Sequence, residues 1–208
     1  MAGMFRLGLF LILLFSALCE AKVNDGGAGS FEVNLGQTTG VYTPVGATPN
    51  TYTGYGTLVR FNLNLWSKWG FEIATGLDFK FTSLSNSNVA VGNSESSIST
   101  GVGPGIKFLY RFIYVGADFY FMGTHDFLTG NVGQQTDSYY TMPSFNGGLY
   151  WQMGTLGVGV SYDQSTVTLA SSQFRNSKST TYAESEVGVF FIYVLKGSKT
   201  SFFKALFN

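Results

Sequence analysis

The sequence predicts an all-β fold, an eight-stranded antiparallel transmembrane up-and-down β-barrel, and three observations carry the prediction. Apolar and polar residues alternate in eight separate segments, so each strand can set one face in lipid and the other in a polar interior. The connections between segments are alternately very short and long, as in barrels with tight turns on one side of the membrane and loops on the other. With the strands so placed, the apolar face carries no Lys, Arg, Asp or Glu in any strand, and those charges fall on the opposite face.

The N-terminus reads as an export signal. Arg6 precedes an apolar run over 7–15, followed by Ser16 and Ala17 and a cleavage point after Ala21. The run is well short of the roughly 20 apolar residues that a spanning helix needs. Residues 1–21 are therefore expected to be removed, leaving a barrel over 22–194 and a short periplasmic tail over 195–208. Cys19 is the lone cysteine, and Leu18 stands where a lipidation motif places a small residue. Cleavage after Ala21 removes that thiol, and disulfide and cysteine–metal chemistry with it.

Charged residues make up 12% of the chain and aromatic residues 17%, against about 25% charged in an ordinary soluble domain. No later stretch is apolar enough for a helical span, so insertion has to be by closed strands, which leave no backbone unpaired in hydrocarbon. Formal net charge is +0 and basic residues form no run, which argues against a nucleic-acid partner.

The expected strands are 30–41, 57–66, 70–82, 98–110, 113–122, 139–152, 155–165 and 182–194. The first carries Glu32 on its polar face. The second sets Val59, Phe61, Leu63 and Leu65 against Arg60, Asn62 and Asn64. The third has the cleanest alternation: Phe71, Ile73, Thr75, Leu77, Phe79 and Phe81 oppose Glu72, Ala74, Gly76, Asp78, Lys80 and Thr82. The fourth carries Lys107, with Gly101, Gly103 and Gly105 as small inward residues. The fifth sets Ile113, Val115, Ala117, Phe119 and Phe121 against Tyr114, Gly116, Asp118 and Tyr120. Asp163 marks the polar face of the seventh, and Glu184 and Glu186 that of the eighth. Pro104 and Pro143 fall inside strands, where each deletes a ladder donor, so a bulge or bend is expected at both.

Tight turns are expected at 67–68, 111–112 and 152–155, and long loops at 43–56, 83–97, 123–138 and 166–181. This alternation puts both termini in the periplasm. Trp66, Trp69, Tyr110, Phe112, Trp151 and Tyr193 would form the periplasmic aromatic girdle, and Tyr42, Phe81, Phe121, Tyr139 and Tyr162 the outer one. A soluble sandwich or lipocalin-like barrel also alternates, but its apolar face points inward. Ten charged positions would then be buried in its core, too many for a soluble interior.

The end of the last strand carries a more specific mark. Residues 186–193 read Glu-Val-Gly-Val-Phe-Phe-Ile-Tyr, a polar-x-Gly-x-x-apolar-x-aromatic pattern that resembles the β-signal of outer-membrane barrels. Over nearly the whole mature chain the layout resembles the small eight-stranded OmpA/OmpX-type barrels, including the outer membrane protein β-barrel domain grouping. The resemblance implies that Glu186, Gly188, Phe191 and Tyr193 are read by the barrel-assembly machinery. It also implies outer-membrane lipid and lipopolysaccharide as surroundings. In many members the aromatic is the final residue, whereas here 194–208 follow.

Eight strands enclose little more than side chains. Counting from the tight turns, Asn64 should face Glu72, Arg60 should face Gly76 and Lys107 should face Gly116. Each cation then lies diagonal to an acid, which predicts two lumenal ion pairs, Arg60 with Asp78 and Lys107 with Asp118. The other lumenal charges are Glu32, Glu72, Lys80, Asp163, Glu184 and Glu186. Acids outnumber bases seven to three in this set, so any ion that leaks through should be a cation.

His125, the only histidine, sits beside Thr124 and Asp126 at the outer end of the fifth strand, the height at which a lipid A-modifying enzyme would work. No His-x-Ser arrangement accompanies it, and no catalytic residue is assigned. No Cys/His cluster or Walker-type segment is present, so no metal or cofactor is expected. The sequence names no extracellular ligand. The exposed loops on a rigid barrel are the expected contact surface, the first uncharged with Tyr42, Tyr52 and Tyr55, the fourth carrying Arg175 and Lys178.

Overall fold

The computed structural model describes residues 27–42, 50–86, 95–129, 133–169 and 181–196. The expected signal, the tail beyond residue 196 and the tips of the long loops, Arg175 and Lys178 included, lie outside the described residues. The strands are β1 (Gly27–Tyr42), β2 (Asn50–Lys68), β3 (Phe71–Asn86), β4 (Glu95–Tyr110), β5 (Ile113–Tyr120), β6 (Met122–Thr129), β7 (Gly133–Met153), β8 (Leu156–Leu169) and β9 (Thr181–Lys196). Every pairing is antiparallel, and β1 pairs with both β2 and β9, which closes the sheet. β5 and β6 are two halves of one span: both pair with β4 on one side and β7 on the other. The nine strands thus make an eight-stranded barrel.

The break between β5 and β6 follows from Pro104. Pairing passes from Gly105 opposite Asp118 to Val102 opposite Met122, so Gly103 and Pro104 face three residues, Phe119 to Phe121. Proline has no N–H to donate at this point, and one extra residue on the facing strand makes a bulge. The ladder resumes where the Phe121 N–H donates to the Val102 carbonyl at 3.2 Å. Around Pro143 the β7–β8 ladder passes from Thr141–Thr168 to Ser144–Ser165, and its register shifts between Tyr139 and Thr141.

Two expectations about connections are corrected. The segment 123–138 is not mainly a loop: Met122–Thr129 and Gly133–Met153 pair as a hairpin that continues the barrel wall outward. Its Thr, Gln and Ser content reads as loop, yet backbone pairing in water needs no apolar face, and Thr favours strands. The first turn lies at Trp69–Gly70 rather than 67–68. Both residues have positive φ, 56° and 80°, the geometry of a tight hairpin turn whose twist matches its strands. A bulge at Leu65 shifts the register beyond it.

Polarity is inside out relative to a soluble protein. Phe71, Phe79 and Phe119 are 48%, 41% and 47% exposed, while Arg60, Asp78 and Lys107 are at most 3% exposed. Among outward-facing strand residues whose side chains are described the only charge is Lys68, at the rim. Hydrocarbon solvates the outer rings, so their exposure to the surroundings costs nothing that burial would recover.

The turn at Gly154 offers a clean test of this geometry, because φ is +67° and a Cβ there meets nothing within 4 Å. Gly154→Ala is expected to cost about 1–2 kcal/mol from the left-handed backbone alone, with the barrel retained. Urea unfolding in lipid vesicles measures it.

Candidate functional site

The inward residues stack in three layers. Along β3 the order is Ala74, Asp78, Lys80, Leu84; along β9, from the short-turn end, it is Val194, Ile192, Phe190, Glu186, Glu184, Tyr182. The short-turn end is filled by Ala74, Leu109, Tyr114, Tyr150, Phe190, Ile192 and Val194. The loop end is filled by Tyr52, Leu58, Leu84, Tyr120, Met142, Val167 and Tyr182. Between these apolar clusters lies a charged layer.

Its centre is Arg60. The Nε group donates to Asp78 at 3.0 Å, Nη2 to Asp118 at 2.6 Å and Nη1 to Glu32 at 3.4 Å. Three carboxylates on three different strands thus share one planar fork, a task that suits guanidinium and not ammonium. Asn146 Nδ2 also donates to Asp118, at 2.7 Å. Lys107 donates to Glu32, and its ammonium lies 4.2 Å from the Tyr114 ring centroid and 5.4 Å from that of Phe190. The charged layer therefore seats directly on the apolar cluster at the short-turn end.

A second node sits nearer the loops. Lys80 donates to Asp163 at 2.8 Å and to Ser165 at 3.1 Å, and the Ser144 hydroxyl donates to Asp163. Glu186 accepts from Thr38 at 3.2 Å and Asn34 at 3.4 Å. Glu184, 1% exposed, lies in the field of Lys80. Glu72 is half-buried and lines a cavity of about 30 Å³ at the short-turn mouth with Asn64, Tyr150 and Gln152, room for about one water.

Glycine supplies space for the carboxylates. A Cβ on Gly105 would meet Asp78 and, at 2.7 Å, Asp118 Oδ1. Gly56, Gly36 and Gly188 stand in register across β2, β1 and β9, and a Cβ on Gly56 or Gly36 would run into the Glu186 carboxylate.

The structure brings Arg60 and Asp78 together but separates Lys107 from its expected partner Asp118. Lys107 does face Gly116 as counted. Counting along two neighbouring strands, however, misses what the closed wall brings across the lumen: Arg60 of β2 reaches Asp118 of β5, and Glu32 of β1 takes Lys107. Arg60 stands directly opposite Asp78 rather than Gly76, and Asn64 opposite Ala74 rather than Glu72, because the turn and the Leu65 bulge shift β2 by two residues. The polar partners Thr38, Asn34, Ser144 and Asn146 went unnoticed in the sequence; their inward parity was the signal available. Glu186 and Gly188 face the lumen, and Phe191 and Tyr193 face outward at 55% and 49% exposure.

No protein-family model and no curated protein sequence matches this chain. Among solved structures, Neisserial surface protein A aligns with TM-score 0.51 at 9% identity, over 79% of this chain and 98% of that one. The chain has the fold of the small eight-stranded outer-membrane barrels. Ail, the attachment invasion locus protein of Yersinia pestis, aligns at 13% identity over 79% of this chain and 99% of its own, with TM-score 0.48. The outer membrane protein OprG from Pseudomonas aeruginosa aligns at 9% identity over 83% and 98%, with TM-score 0.35. At these identities the likeness shows the barrel fold alone. Among the described residues no group of three His, Cys, Asp or Glu is placed to hold a metal ion. The backbone of His125, on β6, pairs with Ser99 of β4 and Asp137 of β7, and its side chain lies outside the described residues.

Proposed function

We propose that this protein is a structural or surface-interaction barrel, whose lumen is shut by side chains and whose outer strand extensions and loops, facing the cell exterior, make the contacts. One observation carries the reading: apolar clusters fill both ends of the lumen around a layer in which Arg60, Lys80 and Lys107 hold Glu32, Asp78, Asp118 and Asp163. A path for water would have to break both. The β6–β7 hairpin, continuing through Thr129 and Gly133, gives the rigid support on which exposed residues usually carry recognition. The short turns and both termini then face the periplasm, and Glu186, Gly188, Phe191 and Tyr193 serve the assembly machinery before Glu186 is sealed inside.

Planar-bilayer recording tests the closed lumen. Wild type is expected to be silent. The Tyr120→Ala, Phe190→Ala pair, one ring from each cluster, is expected to open steps of conductance. Steady conductance by wild type would replace this reading with a second one, a narrow cation-preferring channel. The acid excess of the buried layer, Glu32, Asp78, Asp118, Asp163, Glu184 and Glu186 against Arg60, Lys80 and Lys107, favours cations in that case. Reversal potentials under a salt gradient report the preference.

A further inference from the structure

We infer that the adjoining β2–β3 and β4–β5 turns bind the phosphate of an anionic glycerophospholipid in the leaflet that faces the short turns. The inference uses the bilayer-spanning barrel and is independent of whether the lumen conducts. Lys68, Phe71, Tyr110 and Ile113 stand in one register row across β2, β3, β4 and β5. Phe71 and Tyr110 stack with ring centroids 4.2 Å apart and planes at 26°. The Lys68 ammonium lies 4.5 Å from the Trp69 ring centroid, and the Arg111 guanidinium carbon 5.3 Å from that of Tyr110. Two cations therefore flank an aromatic platform at the depth where such rings meet headgroups.

The backbone is strained at this place. Trp69 and Arg111, at φ 56° and 55°, are the only non-glycine residues with positive φ among those described. They belong to neighbouring turns joined by the Arg111 N–H donating to the Gly70 carbonyl at 3.2 Å. Left-handed backbone is unfavourable for residues with a Cβ, and such strain concentrates at ligand-holding sites. Here it projects Trp69, 79% exposed, and Arg111 beside each other at the rim.

Charge and apolar surface select the occupant. Residues 67–70 and 111–112 contain no acid, and the nearest in sequence, Glu72, lines the inner cavity. The third short turn, 152–155, carries no charge at all, so among the three short turns the cations belong to this adjoining pair. Phe108, Ile113 and Val115, 47%, 44% and 56% exposed, continue from the platform into the lipid zone. A headgroup phosphate between Lys68 and Arg111, with acyl chains along those side chains, satisfies both surfaces. A free anion would leave the apolar half uncovered. A zwitterionic headgroup would bring its own cation toward the pair.

The test uses the refolded barrel with Trp69 as its single tryptophan (Trp66→Phe, Trp151→Phe), in phosphatidylcholine vesicles doped with a minor share of phosphatidylglycerol. Acyl-brominated phosphatidylglycerol is expected to quench Trp69 beyond its bulk share, and brominated phosphatidylcholine is not. Lys68→Gln with Arg111→Gln is expected to reduce the apparent preference roughly tenfold or more, given about a fivefold share per interfacial cation. The heat-modifiable gel shift reports that each variant is folded. Native mass spectrometry of wild type and the double variant, counting retained phosphatidylglycerol, gives an independent reading. Equal quenching by the two brominated lipids, or an unchanged preference in the folded double variant, overturns the proposal; loss of the gel shift in wild type would instead strike at the barrel itself.

Discussion

Replacing Arg60 with methionine is expected to cost about 3–5 kcal/mol of folding free energy, the range for removing one partner of a buried ion pair. Methionine approximates the stem but supplies no donor. Asp78 and Asp118 then lose their guanidinium contacts, and Glu32 retains only Lys107. These carboxylates lie at most 4% exposed between the two apolar clusters, so on the closed-lumen reading water does not replace the lost donor. The origin of the loss can be separated from simple packing. In the triple variant Arg60→Met, Asp78→Asn, Asp118→Asn, the stranded charges are gone, and most of the stability is expected to return, since neutral groups of similar shape often replace buried ions at little cost. Urea titration of tryptophan fluorescence in lipid vesicles gives both values, and the non-additivity measures the coupling. A loss below 1 kcal/mol in the single variant would mean that water reaches this layer, against the closed lumen.

The same layer marks the boundary of what sequence reading supplies. Face assignment was legible because a strand's side-chain period is two: Phe79 outward and Lys80 inward follow from parity, whatever the neighbours are. Chain closure was legible through the alternation of short and long connections. Partner choice was not. Ion pairs that cross the lumen depend on which strands the cylinder sets opposite one another, and adjacent-strand counting returns Lys107 with Asp118 where the molecule joins Lys107 to Glu32 and Asp118 to Arg60. Turn placement failed for a related reason. Trp69–Gly70 lacks the Asn or Asp that usually announces a turn with two positive φ values, and the Leu65 bulge has no residue signature. The outer limits of the strands were underestimated because, above the membrane, only backbone pairing remains and the apolar rhythm stops, as in 123–138. The lipid-facing rim cations were visible as letters but read only as turn residues; their alignment with Phe71 and Tyr110 emerges from register alone.

Phe79→Arg probes the polarity on which the membrane reading rests. Phe79 is paired with Val59 and Val102, midway along the outward face of β3, with the Phe61 ring 6.3 Å away and edge-on at 84°. An arginine at the bilayer midplane of a barrel wall costs about 2–4 kcal/mol, falling to roughly 0–1 near the interface. Ser85 lies on the same strand and face, opposite Thr53 toward the loops. Ser85→Arg is therefore expected to leave stability within about 1 kcal/mol of wild type, whereas Phe79→Arg is expected to approach the full midplane penalty. The difference between two arginines on one face isolates depth from charge, strand propensity and chain length. On a water-exposed sheet both changes would fall within about 0.5 kcal/mol, so equal urea midpoints for the two variants would remove the lipid from the account of this surface.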